Sequence, residues 1–369
     1  MAEVQASFSS GGGFEPTRVQ SGRSRIPTLE VSGPPREQGR QYGEAARQQI
    51  GVSVEYYREA FTHWTGLKWP QVLGRVGDWV PVIKAYAADL LTEIEGIAEG
   101  SARRFEEILT LNVRGEIGYD PTLRHGPGEG CTTFALLADA TGDGHVYAGQ
   151  NWDWHSAVQS TVLCLRVVSP PKPTIIMELE AGQIGRHGVN SAGLPVFVNG
   201  LGEPLGGRGA DAQLRVPQPF IRRRLLESPT MSGALSVVVF GHVQVPTTFV
   251  VTHRDGFAIA LESTPTGTGW VYPGNGVLVH GNHYQSAILM QHAADYRPFS
   301  PDSLYRVPLL ERALAGCRDA SDSQSVRDVI ASRADCRTTS VRRNPCAPTR
   351  TKASMPWTGG RQCHRPSWI

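Results

Sequence analysis

Residue 131 is a cysteine preceded by glycine and followed by two hydroxyl residues, Gly130-Cys131-Thr132-Thr133, and the run Gly149-Gln150-Asn151-Trp152-Asp153-Trp154 follows shortly after. Gly130-Cys131 is a bond with the means to cut itself. Attack of the thiol on the Gly130 carbonyl turns the peptide into a thioester, water opens it, and the product chain begins at Cys131. The new α-amine then serves as base for its own thiol, because an amine of pKa near ~8 is matched to a thiol near ~8.5. Glycine at 130 tolerates the distorted backbone that such an attack needs. The competing reading is a buried structural cysteine heading a strand, since free cysteine is among the most buried residue types.

The elements that must hold these groups can be read around them. Phe134-Ala135-Leu136-Leu137-Ala138 is apolar, Thr141-Gly142-Asp143-Gly144 is turn-like, and residues 145–148 are apolar again. This is the pattern of a hairpin with an Asp-Gly turn. It places Cys131 at the opening of the first strand and Asp153 just past the end of the second, so that thiol and carboxylate meet.

Upstream, residues 1–25 are polar and Gly/Ser-rich and read as a disordered leader without the apolar core of a secretory signal. A short strand at 29–33 is expected, then helices over 35–61, 80–99 and 105–116, and a flexible loop at 125–130. Downstream the texture changes to strands, at 161–168, 174–180, 188–189 and 196–199. Residues 202–219 read as a Gly- and Pro-rich loop, 220–227 and 232–240 as helices, and 247–252 with 258–262 as a hairpin. A further hairpin is expected from 270–272 and 277–280, then helices at 302–315 and 321–331. The expected divisions are 1–25, a helical segment 26–130, a mixed segment 131–332, and an atypical tail 333–369.

The chain has 369 residues, 40% hydrophobic and 19% charged, the composition of an ordinary globular protein. Its net charge of +2 conceals an acidic body, since eight basic residues and one acid lie from Arg333 onward. No basic field for nucleic acid remains in the body, and no apolar run is long enough to span a membrane. The six cysteines form no CxxC pair and no metal-type spacing, so no metal or cofactor is expected and the compartment reads as cytoplasmic, with thiols reduced.

Several separated motifs, in order, carry a resemblance: Gly130-Cys131-Thr132-Thr133, Gln150-Asn151-Trp152-Asp153-Trp154, Glu180-Ala181-Gly182, Gly188-Val189-Asn190-Ser191-Ala192-Gly193-Leu194 and Val279-His280-Gly281-Asn282-His283. Glu93-Ile94-Glu95-Gly96-Ile97-Ala98-Glu99-Gly100 and Leu111-Asn112-Val113-Arg114-Gly115-Glu116-Ile117 extend it upstream. Together they resemble the acyl-coenzyme A:isopenicillin N acyltransferase family, self-processing cysteine peptidase-like members of the N-terminal nucleophile hydrolase superfamily. The resemblance implies an α+β fold, a four-layer α/β/β/α sandwich. It also implies a small acyl-donor or amide substrate, with the cleaved pro-segment retained as a small subunit. It makes Cys131 the nucleophile in autocleavage at Gly130 and in turnover. Asp153 becomes the catalytic acid, which orients the α-amine or hydrogen-bonds the substrate amide, against a plain turn residue ending a strand, and Asn282 an amide donor to the tetrahedral oxyanion, against a loop-capping asparagine. Trp152 and Trp154 are candidates for an acyl-binding wall or for half-buried core. Asn190 lies in a tight turn and is a candidate for lining the pocket.

A non-self-cleaving cysteine hydrolase with His280 or His283 as base, or an inactive truncated relative, are the alternatives. The family's further arginine, expected near the end of the chain, is not found there. The Arg-, Cys- and Pro-rich tail has no helical or strand period, and read one base later its degenerate codons permit a Val-Ala-Ser-Val-Ile strand. The tail is therefore expected to be translated out of frame. Resequencing the gene tests this, and a confirmed frame with a tail that resists proteolysis overturns it.

Overall fold

Apolar residues recur at helical spacing up to residue 118, and beyond residue 130 they fill strands buried on both faces. The computed structural model describes residues 26–118, 130–202, 214–241, 243–291, 298, 300–333, 361–363 and 367–368. The expected leader, the loop before Gly130, most of the loop at 202–219 and nearly all of the tail lie outside them.

The first part consists of β1 (Thr28–Ser32), α1 (Pro35–Ala45), α2 (Arg47–Thr65), α3 (Trp69–Val76), α4 (Val80–Ser101) and α5 (Phe105–Gly118). The second opens with six strands: β2 (Gly130–Leu136), β3 (Tyr147–His155), β4 (Val162–Val168), β5 (Ile175–Glu180), β6 (His187–Asn190) and β7 (Pro195–Gly200). Then come α6 (Gln218–Leu226), α7 (Met231–Val239), β8 (Thr247–His253), β9 (Phe257–Thr264), β10 (Gly267–Val271) and β11 (Val277–His280). The chain continues with α8 (Ala287–Met290), α9 (Ser303–Leu314), α10 (Ser323–Arg333) and two short strands, β12 (Arg361–Cys363) and β13 (Ser367–Trp368).

One sheet has the order β1-β4-β5-β6-β7-β8-β9-β10, and the other β11-β2-β3-β12, with β13 also on β3. Only β1, parallel to β4, breaks the antiparallel rule among these pairs. Alternation along β2 separates two faces. Phe134 and Leu136 join Val279 against Val307, Leu310 and Leu314 of α9. Ala135 joins Ala148 and Leu278 against Phe197, Val250, Ala258 and Ala260 of the large sheet. The far face of the large sheet, including Leu165, Met177, Val198 and Phe249, shares a core with helical residues such as Ile50, Leu90, Ile108 and Phe220. The layers therefore run helix, sheet, sheet, helix, an α+β sandwich. Among the described residues no helix is long and apolar enough to cross a membrane.

Three local expectations change. The helix expected over 35–61 is two, because Ala46 leaves helical geometry at φ −105° and ψ 17°. The connection after β2 is longer than expected: a 3₁₀ turn at Ala138–Ala140 precedes the expected Asp-Gly turn, which is present with Gly144 at φ 71° and its N–H on the Thr141 carbonyl at 3.2 Å. Strands β10 and β11 do not pair as a hairpin: β10 closes the large sheet on β9 and β11 joins β2 in the other, so the chain changes sheets between them.

The helical layer has its own tight constraint. Gly39 and Gly43 of α1 lie against Gly96 and Gly100 of α4. A Cβ on Gly39 would stand 2.0 Å from the Glu93 carbonyl oxygen, and one on Gly96 2.1 Å from that of Arg36. The obstacles are backbone, so no side chain can rotate away. Gly96→Ala is expected to destabilise the protein by about 3 kcal/mol in urea denaturation, the cost of overpacking. Gly74→Ala in α3, where nothing lies within 4 Å of the added carbon, serves as control and is expected to be neutral or slightly stabilising. Equal behaviour of the two variants would remove the constraint.

Candidate active site

Cys131 lies on a central strand of the small sheet, opposite Trp152, while Gly130 lies opposite Asp153. Directly opposed residues share a face and successive residues alternate. Cys131 therefore shares the inner face with Trp152 and Trp154, and Asp153 shares the other face with Thr132. β3 does not end before Asp153, as the hairpin pattern suggested, but runs through it to His155. The carboxylate is thus set beside the Gly130-Cys131 peptide rather than on the side of the thiol. Cys131 and Asn282 are 0% exposed and Asp153 is 8% exposed.

Asn282, just past β11, reaches the Cys131 nitrogen. Its Oδ1 accepts the Cys131 N–H at 2.8 Å and Nη2 of Arg306 at 2.9 Å, while its Nδ2 donates to the Gly200 carbonyl at 2.9 Å. Donors face the oxygen and an acceptor faces the nitrogen, so the partners fix the amide orientation. Asn282 thus presents its oxygen to Cys131 and spends its donor on Gly200. The expected oxyanion donor is engaged elsewhere.

The sequence reading found no further arginine for the site, and the structure supplies Arg306. This side chain, 2% exposed on α9, donates from Nη1 to the Cys131 carbonyl at 2.8 Å and to Thr132 Oγ1, and from Nε to Asp302 at 2.9 Å. The signal was present in the helix: Ser303 and Arg306 lie on the stripe that buries Val307, Leu310 and Leu314. A charged residue on an apolar stripe needs a partner inside.

A second buried group holds the loop. Glu262 of β9 is fully buried; its Oε1 accepts the Gln285 N–H at 2.6 Å and lies 2.8 Å from Nε2 of His280, and its Oε2 accepts the Ser286 N–H at 3.1 Å. Nδ1 of His280 lies 3.0 Å from the Gly281 carbonyl. His283 Nδ1 lies 2.6 Å from Ser303 Oγ, which also accepts the Asn282 N–H at 2.6 Å. Burial holds the His283 pKa down at about 4, keeping the ring neutral. These contacts make both histidines supports of the Asn282 loop, and none of them pairs a ring with Cys131.

Asn190 stands apart from this cluster. Its Nδ2 donates to the Leu226 and Ser228 carbonyls at 3.0 and 2.7 Å, and its Oδ1 accepts from Ala192 and Leu194 N–H at 3.0 and 3.2 Å. The side chain ties its turn to the end of α6 rather than lining a pocket. Trp152 lies under the Arg186 guanidinium, 4.3 Å from the ring centroid. Trp154, whose Nε1 donates to Tyr57 Oη at 3.1 Å, lines a small open cavity with Trp64, Arg114, Arg186 and Arg222. Glu116 also lines it, and burial pushes its carboxyl up to about 7. Among the described residues no group of three His, Cys, Asp or Glu could hold a metal ion.

Asn282→Ala is expected to lower kcat by roughly 10²-fold, with KM less affected, because it leaves the Cys131 N–H and the Arg306 fork without their shared acceptor. Arg306→Lys keeps the charge but loses the planar fork, and is expected to lower kcat by about ten-fold or more. Steady-state kinetics on a thioester or amide substrate decide both, and unchanged turnover in either variant would take that residue out of the site.

A family profile described as acyl-coenzyme A:6-aminopenicillanic acid acyl-transferase matches residues 140–337. That span includes Asp153, Asn282 and Arg306 and begins after Cys131. The 40 kDa form of acyl-coenzyme A:6-aminopenicillanic-acid-acyltransferase from Emericella nidulans is 30% identical over 295 residues, covering 78% of this chain and 77% of that protein. Among solved structures, penicillin V acylase from Agrobacterium tumefaciens aligns at 12% identity over 58% of this chain and 76% of its own, with a TM-score of 0.34. A conjugated bile acid hydrolase from Clostridium perfringens aligns at 14% identity over 55% and 79%, with a TM-score of 0.30. By profile and by relative, the chain belongs to the acyl-coenzyme A:6-aminopenicillanic acid acyltransferase family.

Proposed function

We propose that this chain is a precursor that cuts itself between Gly130 and Cys131 and then works through Cys131 as an N-terminal nucleophile. The observation that carries the reading is the hydrogen bond from the Cys131 N–H to Asn282 Oδ1. The site's polar groups converge on the backbone of Cys131, with Asn282 on its nitrogen and Arg306 on its carbonyl.

In cleavage, Sγ of Cys131 bonds to the Gly130 carbonyl carbon and the C–N bond breaks. The departing nitrogen takes the thiol proton and remains beside Asn282 as an amine. Water then attacks the thioester, leaving a carboxylate on Gly130 and a free thiol on Cys131. In turnover the amine takes the thiol proton and the thiolate attacks the carbonyl of a small acyl donor. The leaving group departs with a proton, and the acyl group rests on sulfur until an amine or water accepts it. The Arg306 cation beside the amine favours its uncharged form, the form that acts as a base. Asp302 balances that cation at 2.9 Å, and Asp153 stands opposite Gly130. The substrates proposed are small acyl donors, coenzyme A thioesters or amides, with an amine or water as acceptor.

A mass spectrum of the purified protein is expected to show two chains, meeting at residues 130 and 131, and N-terminal sequencing of the larger is expected to begin at Cys131. Cys131→Ala is expected to remain one chain. Cutting of that variant at the same bond would assign the cleavage to a host protease and defeat the proposal.

A further inference from the structure

Ser303 opens α9, yet its hydroxyl is not used as a hydroxyl at a helix start ordinarily is. Such a group usually accepts a free N–H from the first turn of its own helix, and α9 has no side-chain cap of that kind. Instead Oγ reaches out of the helix, accepts the Asn282 N–H at 2.6 Å and lies 2.6 Å from Nδ1 of His283. Ser303 and Asn282 are both fully buried. The approach is close enough to require the glycine beside it: a Cβ on Gly281 would stand 2.3 Å from Ser303 Oγ and 3.1 Å from Val307 Cγ2.

The direction of these two bonds follows from what each group can do. A backbone N–H only donates, so Oγ accepts from Asn282 and its own hydrogen must go elsewhere. A buried hydroxyl hydrogen without an acceptor is costly, and among the described residues the acceptor beside it is Nδ1 of His283. Burial holds the pKa of that ring down at about 4, so at neutral pH Nδ1 keeps its lone pair and the ring proton sits on Nε2. The bonds therefore run one way, from Asn282 N–H to Ser303 Oγ and from Ser303 O–H to His283. One turn along the same helix, Arg306 takes the other end of Asn282, at Oδ1. Helix α9 thus grips Asn282 at two points, main chain and side chain. We infer that Ser303 is a positioning residue of this centre: oriented by His283, its hydroxyl fixes the main chain of Asn282 so that Oδ1 meets the Cys131 nitrogen. The inference rests on the acyl-transfer reading for its effect on rate, while the placement of Asn282 does not.

The test pairs turnover with a measurement that needs none. In the full-length Cys131→Ala chain, hydrogen exchange at the Asn282 amide is followed by NMR. Adding Ser303→Ala is expected to speed that exchange about ten-fold or more, while the amides of β4 and β5 exchange as before. In the chain that keeps Cys131, Ser303→Ala is expected to lower kcat about ten-fold with KM changed by no more than about two-fold. His283→Leu removes the acceptor and is expected to lower kcat by a similar factor. His283→Asn, whose Oδ1 can stand where Nδ1 stood, is expected to recover most of that loss. Because the two residues act through one hydroxyl, Ser303→Ala combined with His283→Leu is expected to lose no more than Ser303→Ala alone. Multiplied losses in the double variant overturn the inference, as does unchanged exchange at the Asn282 amide. Equal turnover in His283→Leu and His283→Asn also overturns it, even if Ser303→Ala fails to fold. Faster exchange on Ser303→Ala in a protein whose Cys131 form neither cuts itself nor turns over acyl substrates would leave the placement of Asn282 standing and remove the nucleophile proposal instead.

Discussion

The nitrogen of residue 131 is held by a side chain from the loop that follows β11, and the architecture can be followed outward from that bond. Asn282 can point Oδ1 at Cys131 only because its other groups are engaged. Nδ2 is taken by Gly200 at the end of β7, and its backbone N–H by Ser303 at the start of α9. The strand before it is fixed by β2, with His280 opposite Thr133, and from behind by Glu262 on β9. Support for one side chain thus comes from both sheets and the outer helix. Placing those elements within reach of one another requires the sheets to stack closely, and the alanines between them allow it.

That arrangement concentrates ionic groups in the interior. Arg306 and Glu262 are buried, and removing either partner of such a contact leaves an uncompensated charge, which costs far more than the contact contributes. The helical layer follows the same rule. Arg223 meets Glu93 through two hydrogen bonds at 3.1 and 2.9 Å, and Arg114 meets Glu180 at 2.7 Å. Tyr57 donates to the same Glu180 at 2.6 Å. Each of these links joins a residue before 130 to one after 131. Polar specificity here fixes how the helical layer seats on the large sheet, and apolar area, being non-directional, could not do so alone.

Much of this was legible in the residues. Long periodic segments gave α4, α5, α9 and α10 nearly to their ends, and the apolar run after Cys131 gave β2, whereas β3 was read too short because its Asn151-Trp152-Asp153 stretch is polar in part. What the pattern hid was tertiary. The pairing partners of β10 and β11 depend on which sheet each can complete, and local turn chemistry carries no such information. The orientation of the Asn282 amide depends on Gly200 and Arg306, which are 82 and 24 residues away. Arg306 and Glu262 could have been suspected, one on an apolar helical stripe and the other in the row with Ala258 and Ala260, but only the fold says what they face. Asn190 misled because a turn motif bears no mark of whether its side chain points at a ligand or at a helix end.

β1 is the edge strand of the large sheet and the one parallel partner in it, laid along β4 from Thr28 opposite Cys164 to Ser32 opposite Val168. It belongs to the portion that precedes residue 130. On the proposed cleavage the eight-stranded sheet becomes intermolecular, completed by a donated strand in the manner of β-augmentation. The donor also brings α1 and α4, already locked together by their glycines, so the strand arrives on a rigid handle rather than as a loose peptide. Withdrawing it would bare the backbone of β4 as a new sticky edge. The mature assembly would therefore guard itself against aggregation only while both products of one chain stay together, which makes the fidelity of that pairing, rather than the cut itself, the step on which its lifetime depends.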